Sequence, residues 1–227
     1  MSPARPRAAN GHLVFDDIAA DNVVITGDCV KEMHALPAAS VDMVFTDPPY
    51  LCGYRDRAGR TVANDNRNDW LAPAFAEIHR VMKPGTLCIS FYGWTATDAF
   101  FAAWRGAGLT PVGHIVFVKP YVSRRGLLKS MHESAYVLAR GRPEFPVKPL
   151  SDVHGWLYTG NELHPTQKPV EVMKPLIRTY CREGGLVLDP FAGSGSILKA
   201  ARECGRRFVG MELDPEHAAT ARRRLRC

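Results

Sequence analysis

No apolar run in this sequence approaches the ~20 residues that span a bilayer, and no signal peptide opens it. A membrane span is therefore not expected. Cysteine is scarce and scattered: six residues, at 29, 52, 88, 181, 204 and 227, with no CxxC pair. That pattern argues against a zinc site or a disulfide framework, and for a reducing, cytoplasmic setting without a metal. There is no internal repeat and no linker long enough to separate a second domain. An excess of one charge is also modest, with 29 Lys and Arg against 23 Asp and Glu, a net +6. Such a balance is compatible with a polyanionic partner without requiring one. The run Ala221-Arg222-Arg223-Arg224-Leu225-Arg226 reads first as cations at a helix C-terminus, and only second as phosphate contacts.

What is present fits one domain: 227 residues, 46% of them hydrophobic. Residues 1–12 open with a Pro-, Ala- and Arg-rich stretch and read as a disordered tail, leaving 13–227 as the domain. Apolar runs then alternate with amphipathic helical patterns, the signature of a parallel α/β sheet. Strands are expected at Val23–Thr26, Val41–Thr46, Thr86–Phe91, Val112–Val118, Ala135–Leu138, Leu186–Leu188 and Arg207–Met211. Val112–Val118 and Ala135–Leu138 read as an antiparallel pair at the sheet edge. Helices are expected at Trp70–Met82, capped by Asn68 or Asp69 and ended by Pro84-Gly85, and at Ala96–Arg105, capped by Thr95. Further helices follow at Pro169–Tyr180, Ser196–Glu203 and after Asp214-Pro215. Two stretches, 51–68 and 141–163, escape the pattern, and long irregular loops in a compact domain are commonly functional.

Val187-Leu188-Asp189-Pro190-Phe191-Ala192-Gly193-Ser194-Gly195-Ser196 runs from strand through a glycine turn into a helix. That context suits a ligand held at a helix N-terminus. Glu212 follows a strand about 20 residues after the turn, where an acid meets ribose hydroxyls. The dinucleotide fingerprint fails, because position 198 is leucine. Asp189 at the strand end would repel a pyrophosphate but suit a cationic ammonium. Charge therefore favours S-adenosylmethionine over NAD or ATP.

Asp47-Pro48-Pro49-Tyr50 directly follows a hydrophobic strand, at the sheet end where open α/β folds bind ligands. Its prolines stiffen a cluster of one carboxylate, one carbonyl and one ring. A nucleobase amine is a poor nucleophile, since its lone pair is delocalised into the ring. Two acceptors on its N–H groups, Asp47 and the Pro48 carbonyl, would favour a tetrahedral nitrogen aimed at a methyl donor. Tyr50 could stack on a base flipped from the duplex.

These motifs resemble the β class of amino-group DNA methyltransferases. Asp47–Tyr50 comes first and Asp189–Gly195 late, the order that marks that class; His164-Pro165-Thr166-Gln167-Lys168-Pro169 lies between them. Gly27-Asp28-Cys29 and His132-Glu133 also match, so the resemblance spans roughly residues 22–220. It implies a Rossmann-like, seven-stranded, mostly parallel sheet in which the catalytic half comes first and the cofactor half last. It further implies methyl transfer from S-adenosylmethionine to adenine N6 in double-stranded DNA. The catalytic residues would be Asp47, Pro48, Pro49 and Tyr50. The cofactor would be held by Asp28, Cys29, Asp47, His164, Thr166, Gln167, Lys168, Asp189, Pro190, Phe191, Ala192, Gly193, Ser194, Gly195, Glu212 and Leu213. For Asp28 a helix cap is an equal reading, and Thr166 could cap the following helix. N4-cytosine, or an amine or amide of RNA or protein, is the alternative substrate. A bacterial or phage origin and a restriction-modification setting are expected.

Family members usually carry a sizeable target-recognition region, and none is evident here. Base reading would then fall to 51–68, to 141–163, or to the second subunit of a homodimer. Arg55, Arg57, Arg60 and Arg67 form one candidate DNA-contacting group, and Arg124, Arg125 and Lys129 another.

Overall fold

The computed structural model describes residues 22–55, 59, 61–158, 160 and 167–226. The expected N-terminal tail lies outside that range. In chain order the described elements are β1 (Val23–Thr26), α1 (Cys29–Met33), β2 (Val41–Thr46), α2 (Leu71–Val81), β3 (Met82–Phe91), α3 (Thr97–Gly106) and β4 (Thr110–Val118). A short hairpin, β5 (Arg124–Arg125) and β6 (Lys129–Ser130), leads into β7 (His132–Ala139). The rest is β8 (Val153–Gly155), α4 (Val170–Tyr180), β9 (Leu186–Asp189), α5 (Ser196–Glu203), β10 (Arg207–Glu212) and α6 (Pro215–Leu225).

The main sheet has the order β1-β10-β9-β2-β3-β7-β4-β8. Within it only β7 runs against its neighbours; every other described pairing is parallel. This is the expected Rossmann-like sheet, with β8 added at one edge. β8 falls in the stretch expected to be irregular, and three residues are too few to show an alternating pattern. The antiparallel pair is also present, but β7 lies inside the sheet between β3 and β4 rather than at its margin.

Strands β2 and β9 are buried along their whole length, as central parallel strands covered on both faces must be. Alternate residues feed two cores. Met43, Phe45 and Val187 meet α4, α5 and α6 through Met173, Leu176, Ile197 and Ala221. Val44, Leu186 and Leu188 meet α1, α2 and α3 through Met33, Phe75, Ile78 and Trp104. Each such buried aliphatic or aromatic side chain contributes about 1.5–3 kcal/mol by leaving water.

Several expected boundaries shift for local reasons. Strand β3 begins at Met82, running through Pro84-Gly85, which was expected only to stop a helix. Gly85 takes a positive φ of 78° and donates to the Arg140 carbonyl at 2.7 Å, where the β2–β3 register slips. Proline is tolerated at such an irregular strand start. Neither Asn68 nor Asp69 caps α2, whose N-cap position is Trp70; Asp69 instead pairs with Arg67. Thr95 does not cap α3 either, because a 3-10 turn over Trp94–Ala96 precedes it. Asp214 does cap α6, accepting from the Glu216 and His217 amides with Pro215 in the first turn. The C-terminal arginines do more than balance a helix dipole. Arg222 donates to the Val24 carbonyl and Thr26, and Arg224 to Ser194 and Ser196 of the glycine turn. Among the described residues, no helix is long and apolar enough to cross a membrane.

What this topology does for function is set by β9 lying beside β2. Met43 pairs with Val187 and Val44 with Leu188, so the ends of the two strands meet. Asp189 and Asp47 lie far apart in sequence, yet both reach the carboxyl edge of the sheet at its switch point. The halves are permuted as expected with one amendment: β1 and α1, first in the chain, complete the cofactor half beside β10.

Candidate active site

A cavity of about 280 Å³ opens at the carboxyl ends of β1, β2, β9 and β10. Of the residues expected there, Asp28, Cys29, Asp47–Tyr50, Gln167, Lys168, Asp189–Ser194, Glu212 and Leu213 line it. Gly195 does not; it caps α5 in the left-handed region (φ 76°), its α-carbon turned toward Ala221 and Leu225. His164 and Thr166 lie outside the described residues, as do Arg57 and Arg60.

At one end the turn after β9 is tied down by carboxylates. Gly193 takes φ 51° and its amide donates to Glu212 Oε2 at 2.7 Å, while Asp214 N–H holds Oε1 at 2.9 Å. Gly27 N–H adds a 2.9 Å bond to the Glu212 carbonyl. Burial pushes the Glu212 carboxyl up. Asp189, buried at the end of β9, accepts from Thr46 Oγ1 and the Phe191 amide, each at 3.1 Å. Burial, against those two bonds and with Asp47 and Glu212 nearby, raises its pKa to about 8. A buried carboxyl with two other carboxylates nearby is stabilised by a cation, and the ammonium of S-adenosylmethionine would supply one. The residues present therefore fit that donor. Asp28 caps α1, accepting from Val30 and Lys31 amides at 3.0 and 3.2 Å, while also lining the cavity. The helix-cap reading of Asp28 is thus observed, and the residue also faces the cavity. Burial and the Asp28 carboxylate push the Cys29 thiol up to about 12, away from the thiolate form.

The wall between the ends came without warning from the sequence. Trp70 lines the cavity, its ring edge-on to Phe191 at 5.1 Å and its indole N–H on the Asn64 and Arg67 carbonyls. Cys52, Tyr54, Asn64 and Asp65 line it too. Asp65 is buried and accepts the Tyr54 amide at 2.5 Å, so much of 51–68 forms a cavity wall. In that stretch Arg55 sits in a bridge to Thr61, and Arg67 is exposed and paired with Asp69.

At the other end five side chains from four chain segments form one charged cluster. Tyr50 Oη donates to Asp47 Oδ1 at 2.9 Å, with Glu133 Oε2 a second acceptor 3.2 Å away. Lys168 Nζ lies 2.5 Å from Asp47 Oδ2 and 3.2 Å from Glu133 Oε2. Lys119 Nζ holds Glu133 Oε1 at 2.6 Å. Lys168 is only 4% exposed and its ammonium also faces the rings of Phe91 and Tyr50, at 4.9 and 5.3 Å. The two carboxyls respond in opposite directions. Burial pushes Asp47 up, beyond what Lys168 offsets. Burial also acts on Glu133, but the Lys168 and Lys119 ammoniums outweigh it and hold the group down. Two carboxyls pushed apart in this way can divide a base's role from a permanent charge.

Glu133 and Lys119 were not expected site residues. His132-Glu133 matched the family pattern, but no role could be read from it, and nothing local marks Lys119. Gly93 was also missed. A Cβ there would stand 2.0 Å from the Tyr50 carbonyl oxygen, so the Asp47–Tyr50 turn can pack on that segment only against glycine. Side-chain placement of Arg124 and Arg125 is not described; their backbone forms the hairpin with Lys129 and Ser130.

Comparison with known proteins identifies the family of the chain. The N6/N4 family model described as DNA methylase matches residues 41–154 and 146–223. YubD of Escherichia coli (strain K12) is 51% identical over 201 residues, covering 88% of this chain and 88% of that protein. The DNA adenine methyltransferase YhdJ of the same organism is 30% identical over 241 residues, covering 89% and 82%. Among solved structures, M1.HpyAVI in complex with SAM shares the fold with a TM-score of 0.72 at 21% identity, covering 90% of this chain and 98% of that one. The chain belongs to the DNA methylase family, and its activity is S-adenosylmethionine-dependent DNA methylation.

Proposed function

We propose that the protein methylates the N6 amine of adenine in double-stranded DNA, on a base flipped into the Asp47 end of the cavity. The observation that carries this reading is the Asp47 environment: a carboxyl pushed up by burial, beside a proline carbonyl and a tyrosine ring. When bound, S-adenosylmethionine supplies a methyl group on a positively charged sulfur. Asp47 and the Pro48 carbonyl accept the two N–H bonds of the amine and turn its lone pair toward the methyl group. As the nitrogen becomes cationic, the Asp47 carboxylate stabilises it and takes the released proton. Tyr50 stacks on the flipped base. Asp189 would pair with the donor's ammonium and Glu212 with its ribose hydroxyls, while the Phe191 and Trp70 rings wall the site. Asp28, Cys29, His164, Thr166, Gln167 and Leu213 would complete its surroundings. The similarity to YhdJ, named a DNA adenine methyltransferase, supports adenine over cytosine.

DNA contact in this reading falls to segments 51–68 and 141–163 of one catalytic domain, and to the β5–β6 hairpin. That hairpin carries Arg124, Arg125 and Lys129 around a tip on which Leu127 and Leu128 are exposed. Cations flanking an apolar tip suit a phosphate backbone and a base step. The test is product identity. Unmethylated DNA is incubated with labelled S-adenosylmethionine, digested, and its nucleosides separated. N6-methyladenine is the expected product; N4-methylcytosine alone would refute the adenine assignment.

A further inference from the structure

We infer that Glu133 is a positioning residue for methyl transfer, the acceptor onto which Lys168 and Tyr50 move when the substrate amine takes their place on Asp47. This rests on the reading of Asp47 as the amine's acceptor.

Without substrate, both Asp47 oxygens carry a donor: Tyr50 Oη at 2.9 Å on one, Lys168 Nζ at 2.5 Å on the other. An amine arriving at Asp47 must compete with an ammonium and a phenol. Abandoning either donor in a buried site would leave a polar group unpaired, at a cost that would oppose binding. Glu133 removes that cost. Its Oε2 already lies 3.2 Å from both donors, a second acceptor within reach of each. Small movements of Lys168 and Tyr50 therefore exchange one carboxylate for the other without breaking the network. The Phe91 ring faces the Lys168 ammonium on this path as well.

Lys119 fixes the geometry that makes this exchange directional. It is 8% exposed, holds Glu133 Oε1 at 2.6 Å, and lies 5.2 Å from the Trp156 ring. Glu133 is thus anchored through Oε1, while its Oε2 keeps only the longer, 3.2 Å contacts with Tyr50 and Lys168. Lys119 directly follows β4 and Glu133 sits near the start of β7, paired strands whose register sets Phe117 opposite Glu133. The pair is held by the sheet frame and does not need to move. A purely structural ion cluster would use both carboxylates alike. Here Lys168 and Tyr50 each make the shorter contact with Asp47 and the longer one with Glu133.

The experiment compares wild type with Glu133→Gln, Asp47→Ala and the double variant Lys119→Met with Glu133→Gln. Steady-state methylation of DNA is measured against pH, with cofactor binding and thermal unfolding measured in parallel. Glu133→Gln keeps an acceptor but lacks the charge that draws Lys168 away from Asp47. Its kcat should fall about tenfold or more, with cofactor affinity held within about twofold. The groups facing Asp47 are Tyr50, Lys168, Glu133 and, from β9, Asp189. Losing the Glu133 charge leaves Lys168 on Asp47, so the acid limb of kcat should move to lower pH, a change that a merely destabilised fold would not produce. The double variant removes both buried charges, so it should recover any lost stability while kcat stays low. Wild-type kcat and pH profile in Glu133→Gln, or recovery of kcat in the double variant, would overturn the inference. An Asp47→Ala enzyme that retained the parental rate would instead defeat the underlying reading of Asp47.

Discussion

At the glycine-turn end of the cavity, carboxylates are satisfied mainly by backbone: Glu212 by the Gly193 and Asp214 amides, Asp189 by the Phe191 amide and Thr46. At the Asp47 end, carboxylates are satisfied by side chains: the neighbouring Tyr50 and two lysines brought in from distant segments. The first arrangement is fixed by the local chain and offers little to rearrange. The second is a network with two acceptors for each mobile donor, built to change partners. The turn end should therefore govern affinity for the methyl donor, and the Asp47 end the rate of transfer.

Substitutions can break that division. The largest effect is expected from Asp47→Ala, which removes acceptor and proton acceptor together; kcat should fall by about 10²–10⁴-fold. Gly93→Ala should come next. Its methyl would press on the Tyr50 carbonyl from 2.0 Å, a backbone contact that cannot yield cheaply. The turn would shift, lowering kcat by about a hundredfold while donor affinity, measured by calorimetry, stays within about threefold, since a misplacement near 1 Å is that costly. A matching loss of affinity would mean the two ends are coupled.

Glu212→Gln should act in the opposite sense, weakening donor binding about tenfold or more with kcat at saturation little changed. The smallest effect is a pH dependence. Asp189 has its pKa raised to about 8, whereas a cationic ligand needs it ionised. Affinity for S-adenosylmethionine should rise between about pH 6 and 8, with proton release visible as a buffer-dependent binding enthalpy. The sign for stability is reversed. The folded state holds this proton more tightly than the unfolded chain, so without ligand stability should decline as pH climbs from the ordinary carboxylate range toward 8. Asp189→Asn should abolish both trends.

Much of this is legible in the chain. The apolar pattern alone marks Val41–Thr46 and Val23–Thr26 with their observed ends, and the motifs Asp47–Tyr50 and Asp189–Gly195 are assigned to one site, all but Gly195 lining one cavity. Both are contiguous motifs at strand ends, where local pattern and topology agree. What escapes is what tertiary contact decides. Glu133, Lys119, Gly93 and Trp70 each acquire a role only because β7, the end of β4, the segment after β3 and the start of α2 converge on one edge. Asp69 and Thr95 fail as caps because ion pairing and a 3-10 turn claim those positions, and Asn68 stands two residues before the Trp70 cap position. β8 is too short to register, and the C-terminal arginines look like a charge run until their partners across β1 and the glycine turn are visible.

The central claim is that rate and affinity reside at opposite ends of one cavity, with Asp47 on the side of rate. Single-turnover methyl transfer to DNA by Asp47→Ala, alongside its calorimetric affinity for S-adenosylmethionine, tests this most directly. Transfer should be lost while affinity stays within about threefold of wild type. Transfer at the parental rate would contradict the account.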